Sequence, residues 1–108
     1  MQVLDTRTLP PFEKVLGWHG CVFHGENMSF GHWRFEQGAA IHEHSHEQEE
    51  VWHILEGELE ATVDGQTVTA GPGMVLMLRP GARHRITALS DGFAIVADHP
   101  ARRDFGPA

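Results

Sequence analysis

Residues 38–57 read GAAIHEHSHEQEEVWHILEG, and this stretch decides what kind of chain this is. In extended backbone, residues two apart face the same way, so His42, His44 and His46 share one face while Glu43 and Ser45 take the other. Both faces are then polar, which breaks the apolar-in, polar-out rule and points to a polar pocket or a solvated strand end. Two imidazoles two residues apart can converge on one ion. Glu50 follows after three intervening residues, enough for the chain to turn and offer a carboxylate from a neighbouring strand. Much further on, His84 stands just after the Pro80-Gly81 break, at the start of another strand. Imidazole nitrogen and carboxylate oxygen suit Mn, Fe, Co, Ni or Zn. A set of three His and one carboxylate leaves positions open on an octahedral ion, which implies substrate or water and not mere stapling.

Outward from this stretch the chain is strand-like. Ser29 to Phe35 alternates, and Leu59, Ala61 and Val63 alternate with Glu58, Glu60 and Thr62, the pattern of half-buried strands. Asp64-Gly65 is a tight-turn dipeptide, and Thr67 to Ala70 reads as the returning strand of a hairpin. Met74 to Leu78 is a short apolar run expected in the core, bounded by Gly71-Pro72-Gly73 and Arg79-Pro80-Gly81. Arg83 to Leu89 and Phe93 to Ala97 give two more strands across Ser90-Asp91-Gly92. Short strands with turn signals every eight to twelve residues indicate an all-β sandwich or barrel. The nearest approach to a helix, Phe12 to Leu16, is too short to stand alone.

Length and composition narrow the function. A chain of 108 residues, 41% hydrophobic and 21% charged, suits one globular domain, residues 1–108. A formal charge of -7 gives no clustered Lys and Arg for phosphate backbones, so nucleic acid is not an expected partner. The only Cys, Cys21, suits a reducing compartment. The absence of an apolar leader-like run near Met1, or of about 18 consecutive apolar residues, leads us to expect a cytoplasmic protein with no membrane partner.

Gly38, His44, His46, Glu50 and Gly57 fit G-x5-H-x-H-x3-E-x6-G, the first motif of the cupins, at every fixed position. The second motif, G-x5-P-x-G-x2-H-x3-N, is met by Gly73, Gly81 and His84, with Arg79 and Ala88 where Pro and Asn are usual. The chain thus resembles a small single-domain cupin, with core motifs over residues 38–88. That resemblance implies a double-stranded β-helix, a jelly-roll barrel, holding one divalent transition metal (Fe, Mn, Ni, Co or Zn) through His44, His46, Glu50 and His84. It also implies that the motif glycines sit at turns. Trp52 and Ile54, sharing parity with Glu50, are expected to line the cavity below the metal, with His53 facing away.

In length and in stretches such as LEGELEATVDG the chain is similar to the cupins that convert unsaturated uronates. Those carry Gln at the place of Glu50 and a tail Asp-x-Phe-x-x-x-Arg, whose places here are held by Val96, Asp98 and Arg102. Only the Arg matches, so that resemblance offers Arg102 as a substrate-contacting residue.

Single His residues in β proteins are mostly solvated or hydrogen-bonded, so His19, His24, His32, His53 and His99 receive no role. His42 is either an outer proton carrier, since imidazole titrates near neutrality, or a solvated strand end. Arg34, and with it Arg79, Arg83 and Arg85, are candidates for orienting an anionic substrate by bidentate hydrogen bonds, against the plainer expectation that strand-end Arg are solvated. Three functions follow for a small-molecule ligand: Lewis-acid isomerase or lyase chemistry, Fe(II)- or Ni(II)-dependent dioxygenation, or non-catalytic binding and sensing. Val51, His53 and Leu55 on the outer face suggest a homodimer.

Overall fold

A computed structural model describes residues 1–107. After a 3₁₀ turn at Thr6–Thr8 come nine strands: β1 Trp18–His24, β2 Ser29–Phe35, β3 Ala40–His44, β4 Glu49–Glu56, β5 Leu59–Val63, β6 Gln66–Ala70, β7 Val75–Leu78, β8 His84–Ala88 and β9 Gly92–His99. They form two antiparallel sheets, β1-β2-β9-β4-β7 and β3-β8-β5-β6. Apart from the consecutive pairs β1–β2 and β5–β6, neighbours in each sheet come from distant parts of the sequence, as in the expected jelly roll.

Strand parity builds the interior. Trp33 and Phe35 of β2, Trp52 and Ile54 of β4, Leu59 and Ala61 of β5, Ile86 and Ala88 of β8, and Ala94 and Val96 of β9 all turn inward and form one core with Trp18 and Val22. Each sheet thereby buries one apolar face against the other, the principal stabilising term of such a fold. The β5–β6 hairpin turns through Asp64 (φ 47) and Gly65 (φ 81), the left-handed pair that matches strand twist, as the dipeptide foretold. Gly57 has φ 77, and a Cβ there would run into the Asp91 carbonyl oxygen, so this motif glycine is required on both counts.

Three expectations need correction. No strand was read at Trp18–His24, where Gly20 replaces an inward apolar residue and blurs the alternation; the structure places β1 there, paired with β2 in full register. The run Met74–Leu78 is core only in part: on the edge strand β7 Leu78 is buried in the core and Leu76 packs against it, whereas Met74, Val75 and Met77 are exposed. Finally, β3 ends at His44 after a register break between Ile41 and His44, so His46 belongs to the following bend and not to the same extended strand.

Candidate metal centre

Five segments deliver polar side chains to one end of the barrel. His44 closes β3 and pairs in register with His84, the first residue of β8. The bend after β3 carries His46, anchored where Gly81 donates its N–H to the His46 carbonyl at 2.8 Å. Glu50 lies on the inward side of β4, and Asp98, its register partner on β9, turns inward beside it. Ring centroids are 4.2 Å apart for His44 and His84, 5.0 Å for His46 and His84, and 5.7 Å for His44 and His46. One nitrogen from each of these imidazoles lies within 4.8 Å of those from the other two. The same holds for His46, Glu50 and Asp98 as a second overlapping set.

The hydrogen bonds fix which nitrogens face inward. Nδ1 of His44 lies 2.9 Å from the His42 carbonyl, Nδ1 of His84 2.9 Å from the Ala82 carbonyl, and Nδ1 of His46 3.2 Å from the Gln48 carbonyl. A carbonyl only accepts, so each Nδ1 donates, and in a neutral ring the Nε2 lone pair is left for the centre. Backbone carbonyls holding the far nitrogen are the usual support of ligating imidazoles. The His46 Nε2 stands 3.2 Å from Glu50 Oε1, and the His84 Nε2 3.4 Å from Glu50 Oε2. Lone pairs aimed at a carboxylate require a cation between them, either a proton or a metal ion. The buried His84 Nε2 has no hydrogen-bond partner, as a ligand position would require. On this donor chemistry the four residues fit a divalent ion.

Glu50 is 4% exposed and its Oε2 accepts a 2.7 Å hydrogen bond from Trp52 Nε1. Burial acts to raise its pKa, but His46, His84, Asp98 and Trp52 around the carboxylate outweigh it, and the group is held well below the usual range. Asp98 goes the other way: burial first, then the Glu50 charge, push it up to about 8, against Arg102. His84 is raised; burial opposes this, but the Glu50 carboxylate and the Ala82 carbonyl prevail. His44 is lowered, chiefly by burial.

The remaining candidates divide by parity and position. His42 is exposed and lines the mouth of the cavity, its ring 5.8 Å from His44. Arg102 reaches in from the segment after β9, its Nη1 3.8 Å from Glu50 Oε1 and 3.7 Å from Asp98 Oδ2, with its backbone N–H donating to Ser29 Oγ at 2.6 Å. Arg34 is not brought to the site. It sits on the outward face of β2, 3.4 Å from Glu56 and over the Phe93 ring. Alternation places it there, because Trp33 and Phe35 take the inward positions. Arg83 and Arg85 likewise flank the inward His84 and face out; Arg79 and Arg83 lie 3.6 and 3.5 Å from Asp64 and Glu43.

Trp52 lines the cavity as expected, whereas Ile54 is sealed in the core and His53 is exposed. The reading of the sequence gave Asp98 no role. Its signal was available: Ala94, Val96 and Asp98 continue one inward row of β9, which brings a carboxyl into the interior.

A two-sheet jelly roll with imidazoles and carboxylates gathered at one end defines a barrel able to hold a metal ion. The chain belongs to the cupin family: residues 31–98 match the family model described as "Cupin domain". It is similar in structure to an RmlC-like cupin from Shewanella frigidimarina, with a TM-score of 0.88 and 22% identity over 97% of this chain and 96% of that one. It is also similar to KdgF from Halomonas sp. (TM-score 0.87, 20% identity, 96% and 97% covered). An RmlC-like cupin from Desulfovibrio desulfuricans aligns with a TM-score of 0.72 and 27% identity over 94% and 98% of the two chains. No functionally curated protein matches it in sequence.

Proposed function

We propose that this cupin is a metal-dependent enzyme that holds one divalent transition ion through His44, His46, Glu50 and His84 and acts on a small oxygen-bearing organic substrate. The carrying observation is the common orientation of the three imidazoles, each tethered through Nδ1 to a backbone carbonyl with Nε2 left free, those of His46 and His84 lying against the Glu50 carboxylate. A bound ion would supply Lewis acidity toward a substrate carbonyl or hydroxyl. Glu50, kept ionised by its neighbours, provides the anionic ligand. Arg102 offsets the Glu50 and Asp98 charges and presents its guanidinium to an anionic group. His42, exposed at the mouth, is placed to meet a substrate as it enters. Arg34 has no part in this reading.

The test is elemental analysis of the purified protein beside its His44→Ala and His84→Ala variants. Wild type is expected to carry about one ion per chain and both variants to lose it; undiminished metal in either overturns the assignment. A second reading, dioxygenation, draws on the same set of three His and one Glu, which suits Fe(II) or Ni(II); oxygen consumption on adding an enol substrate separates the two. The third reading, non-catalytic sensing, would be favoured by a ligand that raises the melting temperature without turnover.

We further propose a cytoplasmic homodimer. Support for the dimer comes from the exposed Leu55, Val75 and Met77 on and beside the edge strand β7. Among the described residues no helix is long and apolar enough to cross a membrane.

A further inference from the structure

Below the metal centre lies a cavity of about 250 Å³. An apolar cavity of about 150 Å³ accommodates benzene, so this one holds a single ring with a few substituents. Its body is apolar: Trp18, Trp33, Trp52, Val22, Ile86 and Phe105 line it. Of its polar residues, Glu50, Asp98, His44, His84 and Arg102 gather at the metal end; Lys14, Ser29 and His42 also line the cavity.

Among the described residues, three buried side-chain polar atoms lack a hydrogen-bond partner: His84 Nε2, Asp98 Oδ1 and Trp18 Nε1. All three residues line this one cavity. Buried polar atoms are nearly always satisfied, and an orphan calls for a partner that the chain itself does not supply. For His84 Nε2 the metal reading supplies one. Asp98 is only 6% exposed and pairs in register with Glu50 at the polar end, and its Oδ1 is left without a partner. The Trp18 N–H adds an unpaired donor to the indole and aliphatic part of the wall.

A pyranose carries hydroxyls around its whole edge, and those turned away from the polar end would meet a wall of indole and aliphatic groups in which Lys14, Ser29 and the Trp18 N–H are the few groups able to replace their water. We propose that the cavity takes a phenol- or enol-type ligand: a flat apolar body between the tryptophans, with a hydroxyl head that meets the metal end and Asp98 Oδ1. This rests on the metal reading for the head of the ligand alone, and it departs from the sugar substrates of the uronate-converting cupins.

The experiment uses metal-loaded protein and reads quenching of tryptophan fluorescence, with metal content measured on every sample. Probes are phenol, toluene as the same body without the hydroxyl, and glucuronate. Phenol is expected to bind at least about tenfold more tightly than glucuronate, and Asp98→Leu to weaken phenol by about tenfold, the scale of one hydrogen bond to a buried group, while leaving toluene within about twofold. Asp98→Asn, which keeps a polar oxygen of the same shape, is expected to restore most of the phenol binding, and it serves if the Leu variant does not fold. Glucuronate binding as tightly as phenol, or phenol binding indifferent to both Asp98 variants, overturns the proposal. Wild-type protein that takes up no metal when loaded, yet still prefers phenol to glucuronate, would overturn the metal reading and leave the cavity's selectivity standing.

Discussion

Replacing Trp52 by Phe probes the support beneath the proposed metal ligand. Trp52 is 3% exposed, and its Nε1 donates to Glu50 Oε2 at 2.7 Å inside the barrel. A hydrogen bond to a charged group contributes about 1.5–3 kcal/mol. The ring atoms lost with the indole add about 1 kcal/mol of burial. The expected loss of roughly 2.5–4 kcal/mol lowers the melting temperature of a chain of 108 residues by roughly 10–18 °C. Because the hydrogen bond orients a ligand, metal affinity should also fall about 10–100-fold. Trp18→Phe is the matched control: Trp18 is equally buried at 2% exposed, but its Nε1 has no partner, so only the packing contribution is lost. Urea unfolding of both metal-free variants and a competitive metal titration give the two readouts. If Trp52→Phe proves no more costly than Trp18→Phe and binds metal like the wild type, the hydrogen bond to Glu50 supports neither fold nor site.

Metal-free protein should melt at a lower temperature as pH rises from about 6.5 to 8, above the unfolded value of the lowered His44 and His32, which are then neutral in both states. Asp98 is raised to about 8 in the fold, so its contribution is complete below its unfolded pKa and is lost as pH climbs through the folded value; the raised His84 acts in the same sense above its own unfolded pKa. The lowered Glu50 contributes fully above its unfolded pKa and so is constant in this window. A melting temperature that rises across it would contradict these directions. Saturating metal at about 100 times its Kd should stabilise the fold by about 2.7 kcal/mol, and a chelator should abolish the gain; a calorimetric scan unmoved by either speaks against the centre. Gly57→Ala should cost at least about 2 kcal/mol, since φ 77 is left-handed and the new methyl meets the Asp91 carbonyl; a urea midpoint unchanged from wild type would show that the turn relaxes freely. Met77→Glu on the edge strand should convert the proposed dimer to monomer in sedimentation, and a wild type already monomeric at high concentration would dispose of the dimer.

Much of the molecule was legible in the chain because strand alternation is a local property. The period of two identified β2, β5 and β8, and Asp64-Gly65 announced its hairpin. Parity with Glu50, taken as inward from the cupin resemblance, also foretold that His53 would face out. The same rule, applied to Arg34, Arg83 and Arg85, would have turned them outward as well, since each neighbours an inward residue on its own strand. β7 shows the limit. An apolar run reads alike in a central strand and at an edge, and only the order of strands in the sheet reveals that Val75 and Met77 have no sheet neighbour beyond them.

By itself, the sequence determined the family, the strand-rich architecture and the residues whose spacing marks the polar end of the barrel, because motif spacing and alternation are written along one dimension. Tertiary structure alone decided that β3 pairs with β8 and β4 with β9, bringing His84 to His44 and Asp98 to Glu50. Those pairings join residues about forty to fifty positions apart. They are set by which faces can be buried together, and burial of two facing sheets is a property of the whole chain.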